Sequence, residues 1–118
     1  MSSAKEKGLR WLEQAEDELD AAQKLRTLGK HYLVCFLSQQ AAEKALKAVL
    51  YAAGALDVRG HSVGALIAEA ATVDASLAAL IDAVVPLDAY YIPTRYPNSL
   101  PDSVPARVYR DDQSVDAL

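Results

Sequence analysis

Two long helical patterns open the chain, and the second carries an anomaly. Over residues 5–28, Leu12, Ala15, Leu19, Ala22 and Leu25 recur at three- and four-residue steps, with Trp11 on the same side. Glu13, Glu16, Asp17, Asp20 and Lys24 line the outer face. This periodicity predicts an amphipathic helix that stops at Gly29. Residues 30–53 form the next pattern, apolar nearly all round and closed by Gly54. A helix of that kind is central and buried. The connection between the two is so short that they are expected to pack antiparallel.

The anomaly is Gln39-Gln40-Ala41-Ala42-Glu43-Lys44-Ala45-Leu46-Lys47, amides, an acid and bases inside an apolar segment. At about 100° per residue, Gln40, Glu43, Lys44 and Lys47 share one side of the helix. Cys35, Ala42, Ala45, Leu46, Val49 and Ala53 take the other. The cluster has two readings. In one, it is a solvated face on which Glu43 and Lys47 form an i,i+4 pair worth about 0.2–0.5 kcal/mol. In the other, it is a polar seam whose buried groups require a partner: another part of the chain, a second subunit or a ligand.

Further along, Ser62 can cap a third helix with an apolar stripe of Val63, Leu66, Ile67, Ala70 and Ala71. Asp74 can cap a fourth that turns Leu77, Leu80, Ile81, Val84, Leu87 and Tyr91 inward, with a kink or early break at Pro86. Pro93, Pro97, Pro101 and Pro105 then recur every four residues, which disfavours helix and predicts an extended strap. Residues 111–118 begin a short last helix. The expected architecture is an all-α, up-and-down bundle of four to five helices in a single domain over 1–118.

Composition supports this and narrows the function. Alanine and leucine dominate, and β-branched and aromatic residues are sparse, which favours helices. The net charge of −4 is unevenly spread: residues 1–60 hold nine Lys/Arg and eight Asp/Glu, residues 61–118 three and eight. A broad basic nucleic-acid footprint is therefore absent, and any polyanion contact must be local. A lone cysteine and the lack of an apolar leader suggest a reducing, cytoplasmic setting. The apolar runs are too short to span a bilayer. Two histidines and one cysteine do not make a zinc site, and there is no P-loop or dinucleotide-binding glycine pattern. No metal or cofactor is implied.

Two further groups bear on chemistry. Arg95-Tyr96-Pro97, preceded by Tyr90-Tyr91, sets a guanidinium between prolines and beside tyrosines, an arrangement suited to a phosphate or a base. Equally, Pro93 and Pro97 simply end the helix while the tyrosines cover its core. His61 precedes a helix start, where capping or packing is the usual role; no orienting acid stands near it in sequence.

Taken in order, these elements resemble the HEPN domain family (higher eukaryotes and prokaryotes nucleotide-binding). The matching positions are Trp11, Ala15, Asp17 and Leu19, then Gln40-Ala41-Ala42-Glu43-Lys44-Ala45-Leu46-Lys47, His61-Ser62, and Tyr90-Tyr91-Ile92-Pro93-Thr94-Arg95-Tyr96-Pro97. The resemblance covers roughly residues 9–110. It implies a helical bundle that commonly forms a homodimer, with a nucleotide- or RNA-related role. It also implies a setting often found in toxin–antitoxin pairs beside a small nucleotidyltransferase. Many relatives are ribonucleases with an Arg-x4-6-His motif on a late helix, and here the chain departs: no histidine follows His61. Arg26 and His31 have that spacing but lie between the first two helices. The resulting expectation is binding rather than cleavage. Lys44, Lys47, Arg95 and Tyr96 would meet an anion or a partner, with Gln40 and Glu43 orienting them. A metal-independent ribonuclease and a structural dimerisation subunit are the alternatives.

Overall fold

The computed structural model describes residues 3–90 together with Gln113 and Ala117. All regular structure among them is helical, and there is no strand. The order is α1 (Ala4–Thr27), α2 (His31–Ala52), α3 (Val63–Val73), a 3-10 stretch (Ala75–Leu80), the single turn α4 (Ile81–Val84) and a second 3-10 stretch (Val85–Tyr90). Gln113 and Ala117 are also helical. The proline-spaced strap and Arg95-Tyr96-Pro97 lie outside the described residues.

The hairpin of α1 and α2 forms as its punctuation dictates. Ser3 Oγ accepts from Glu6 N at 3.1 Å to start α1. Gly29, at φ +70°, takes the left-handed turn that lets Lys30 N reach back to Leu25 O at 3.2 Å. The two helices then run antiparallel.

Their contact line is built mainly of small residues, with one buried acid among them. Gly8, Ala15, Glu18 and Ala22 are the buried positions of α1. A Cβ on Gly8 would stand 2.8 Å from both the Ala48 carbonyl oxygen and the Ala52 Cβ. The axis of contact is therefore rotated from the leucine-led stripe expected of α1. Leu12 and Leu19 are not covered by the hairpin but remain 38% and 37% exposed. The reason is steric: alanine and glycine permit a closer helix approach than leucine, so the small residues face α2.

The main core lies on the other side of α2. Leu46 and Leu50 pack with Val63, Leu66, Ile67 and Ala70 of α3, while Val49, Val58, Leu77, Ile81 and Val84 close around them. Each fully buried side chain of this kind contributes about 1.5–3 kcal/mol. A second cluster joins Cys35, Leu87 and Ala117, flanked by Tyr32 and Tyr90.

Ser62 caps α3 as expected, accepting from Ala65 N at 3.1 Å. Asp88 adds a second cap from the distant 3-10 stretch: it accepts from Val63 N at 2.6 Å, Gly64 N at 3.0 Å and Ser62 Oγ at 3.0 Å.

The fourth helix differs most from expectation. Asp74 does cap its start, accepting from Ser76 N at 3.0 Å, but the segment beyond consists of two 3-10 stretches around one α-turn. Pro86 has no N–H to donate and its ring crowds the carbonyl of Asp82, which accounts for the break after the α4 turn but not for the 3-10 stretch at Ala75–Leu80. Leu80, expected inward, is 48% exposed, whereas Leu77, Ile81, Val84 and Leu87 do pack inward. Tyr91 lies outside the described residues. Among the described residues no helix is long and apolar enough to cross a membrane.

Candidate functional site

The polar cluster of α2 is not a solvated face. Gln39 is fully buried, and Glu43 and Lys47 are 4% and 5% exposed. The groups a buried segment must satisfy are satisfied by one another, by α1 and by the loop that leads into α3.

Glu43 is the hub. Its Oε2 accepts from Lys47 Nζ at 3.3 Å, one helical turn on, and its Oε1 lies 3.2 Å from His61 Nδ1. A carboxylate can only accept, so Nδ1 is the ring nitrogen that carries the proton in this contact. The imidazole itself is more than half exposed, so a buried acid orients a ring that solvent reaches. Sequence order hid the pair, because the two residues stand 18 positions apart.

An amide relay runs alongside. Gln39 Nε2 donates to the His61 carbonyl at 3.0 Å and Gln40 Nε2 donates to Gln39 Oε1 at 2.7 Å. Lys44 Nζ contacts Gln40 Oε1 at 3.4 Å and pairs with Glu18 Oε1 of α1 at 2.6 Å. Gln14 Nε2 donates to the same Glu18 oxygen at 3.2 Å. Glu18 Oε2 is buried with no hydrogen-bond partner among the described residues. A buried carboxylate oxygen left this way is costly, which marks the spot as one needing a donor.

Aromatic rings close the other side. Lys47 Nζ sits 5.7 Å from the Trp11 ring centre, Trp11 lies 5.2 Å from Tyr51, and Lys7 Nζ sits 4.2 Å from the Tyr51 centre. Tyr51 in turn fixes the loop by accepting from Val58 N at 3.0 Å.

At the surface of this network a cleft of about 200 Å³ is lined by Arg10, Trp11, Gln14 and Lys44. Two cations, an indole and an amide in one hollow can meet a phosphate electrostatically, stack a base and hydrogen-bond its edge. Of the residues expected from sequence, Gln40, Glu43, Lys44, Lys47 and His61 are brought into one network. Arg95 and Tyr96 lie outside the described residues. Sequence reasoning does not single out Arg10, Gln14, Glu18 or Gln39 as site residues. Glu18 was findable, because it falls three residues after Ala15 and four before Ala22, on the inward stripe of α1.

Comparison with known proteins decides the family. The model of the HEPN domain matches residues 9–114. The chain belongs to the HEPN domain family. Two solved structures share the fold. TT1696 from Thermus thermophilus superposes with a TM-score of 0.81 at 41% identity, covering 93% of this chain and 86% of that one. ST0689, an archaeal HEPN homologue, has a TM-score of 0.74 at 32% identity, covering 99% of this chain and 87% of that one. No functionally curated protein matches the chain. Among the described residues of this HEPN domain, no group of three or more His, Cys, Asp or Glu could hold a metal ion.

Proposed function

We propose that this HEPN domain binds a nucleotide or a short stretch of RNA in the Arg10–Trp11–Gln14–Lys44 cleft. It acts as a homodimer beside a small nucleotidyltransferase in a toxin–antitoxin pair. Membership of a family with a nucleotide-binding and ribonuclease-type fold supports the class of ligand. The observation that carries the reading is the cleft itself: an indole, an amide and two cations line one hollow, with Lys44 held from behind by Glu18 and Gln40. Both lysines are paired with a carboxylate, but the Lys47 side chain is buried beside Trp11 and supports the ring, whereas the Lys44 side chain is 21% exposed and lines the cleft. Arg95 and Tyr96 extend the same ligand surface in this proposal.

Trp11 is the sole tryptophan, so its fluorescence reports stacking directly. Titration with ATP, GTP and a short single-stranded RNA is expected to quench it. Arg10→Ala and Lys44→Ala should each weaken binding by about ten- to a hundredfold, since charge-assisted contacts are worth about 1.5–3 kcal/mol. Unquenched fluorescence with every ligand, or unchanged affinity in both variants, would remove the cleft from consideration. Copurification with the product of an adjacent nucleotidyltransferase gene tests the partner.

One observation favours a second reading, metal-independent RNA cleavage. The Glu43–His61 pair supplies the oriented imidazole that a general base needs. That reading predicts cleavage of RNA in chelator, lost in His61→Ala and much reduced in Glu43→Gln. Inert wild-type protein would end it.

A further inference from the structure

The face of α1 turned away from the polar network is apolar, and no other described residue covers Leu9, Leu12 or Leu19 fully. Lys5, Leu9, Leu12, Glu16 and Leu19 recur at steps of four, three, four and three, the spacing of a coiled-coil seam. Leu9 is 54% exposed, and Leu12 and Leu19 lie nearby in the same stripe. Beside the seam, α2 presents mainly alanines. Two cavities, of about 480 Å³ and about 200 Å³, share Leu12 and Ala45 and so form one trough along the hairpin. Ala83, Val84, Leu87 and Ala117 make its far wall. In its floor Ser38 Oγ is buried without a hydrogen-bond partner among the described residues. An apolar surface of this extent on a helix hairpin is a docking face.

Charge decides what docks there. The seam carries Lys5 near its start and Glu16 towards its end, with Leu9 and Leu12 between them. Under a two-fold axis, an antiparallel copy that sets Leu9 against the partner's Leu12 brings Lys5 opposite the partner's Glu16. The reverse pair arises by symmetry. A parallel copy would instead set lysine on lysine and glutamate on glutamate. The seam is thus self-complementary in one orientation only, and small side chains in the trough leave room for a helix to approach closely. We propose that the Lys5–Leu19 seam of α1 is the interface between two copies of this chain, packed antiparallel about a two-fold axis. This rests on the dimeric reading above and names its surface.

Sedimentation and light scattering on the full chain test it. Wild type should be dimeric at micromolar concentration. Leu12→Glu should be monomeric with unchanged helical circular dichroism, because Leu12 is already part-exposed. Lys5→Glu and Glu16→Lys should each raise the dimer dissociation constant about tenfold or more, since each places two like pairs at the seam. The double variant Lys5→Glu/Glu16→Lys should restore the dimer. Restoration has no explanation in a merely structural role for either residue. A dimer indifferent to Leu12→Glu, or a double variant no tighter than the singles, overturns this surface while leaving dimerisation intact. A monomeric wild type overturns both.

Discussion

Single residues carry unusual weight in this protein where the packing leaves no room or a buried charge has one partner. Gly8 is the first case: an added methyl meets a carbonyl oxygen and a methyl at 2.8 Å, and neither can swing away. Gly8→Ala is therefore expected to cost about 1–3 kcal/mol despite the better helix propensity of alanine, read as a lower urea midpoint. A neutral or stabilising result would mean that the hairpin is looser than these distances imply. Glu43 is the second. Removing it strands the buried Lys47 ammonium, so Glu43→Ala should cost about 3–5 kcal/mol. Glu43→Leu combined with Lys47→Met should recover most of that loss, because the burial of charge is removed with the pair. A double variant as unstable as Glu43→Ala would show that the ionic pair is not the cause. The exposed Lys24–Asp20 pair at 2.7 Å illustrates the contrast: geometrically better, it contributes little in water.

At the scale of elements, helix ends decide the architecture. α3 is held at its N-terminus by Ser62 from its own chain neighbourhood and by Asp88 from the second 3-10 stretch. Asp88→Ala should lower stability by about 1–2 kcal/mol and loosen 85–90 from the bundle, visible as faster amide exchange there. Unchanged exchange would mean that Leu87 alone seats the segment. The Asp74 cap makes a pH prediction. The Ser76 hydroxyl, and then its backbone amide, hold the Asp74 carboxyl below the ordinary carboxylate range. Its folded value thus lies below its unfolded one. The contribution is present above the ordinary range and is lost as pH falls through the folded value. Asp74→Asn should flatten the acid side of the stability–pH curve, modestly, since the group is exposed. Caps and stops of this kind were readable residue by residue: Gly29, Gly54, Ser62 and Asp74 all act where the pattern placed them. Asp88 was not, because its bonds join elements far apart in the chain.

For the whole molecule, the hairpin and α3 hold most of the buried residues, and 75–80 is the lightly anchored stretch. No residue of the 3-10 stretch Ala75–Leu80 is buried, whereas α2 buries eleven residues of its twenty-two. Hydrogen exchange should therefore release the amides of 75–80 well before those of α2. Equal protection would contradict this ordering. Periodicity and punctuation determined the all-helical class, the antiparallel hairpin and the polar cluster's need for partners, because each depends on residues within a few turns of one another. Only the tertiary structure decided which face of α1 meets α2. That choice reflects how closely Gly8, Ala15 and Ala22 allow the helices to approach. It also decided that Glu43 serves His61, that Glu18 holds Lys44, and that Trp11 and Lys44 line one cleft. Those pairings join side chains far apart in sequence, and only the packing of the helices brings them within hydrogen-bond reach.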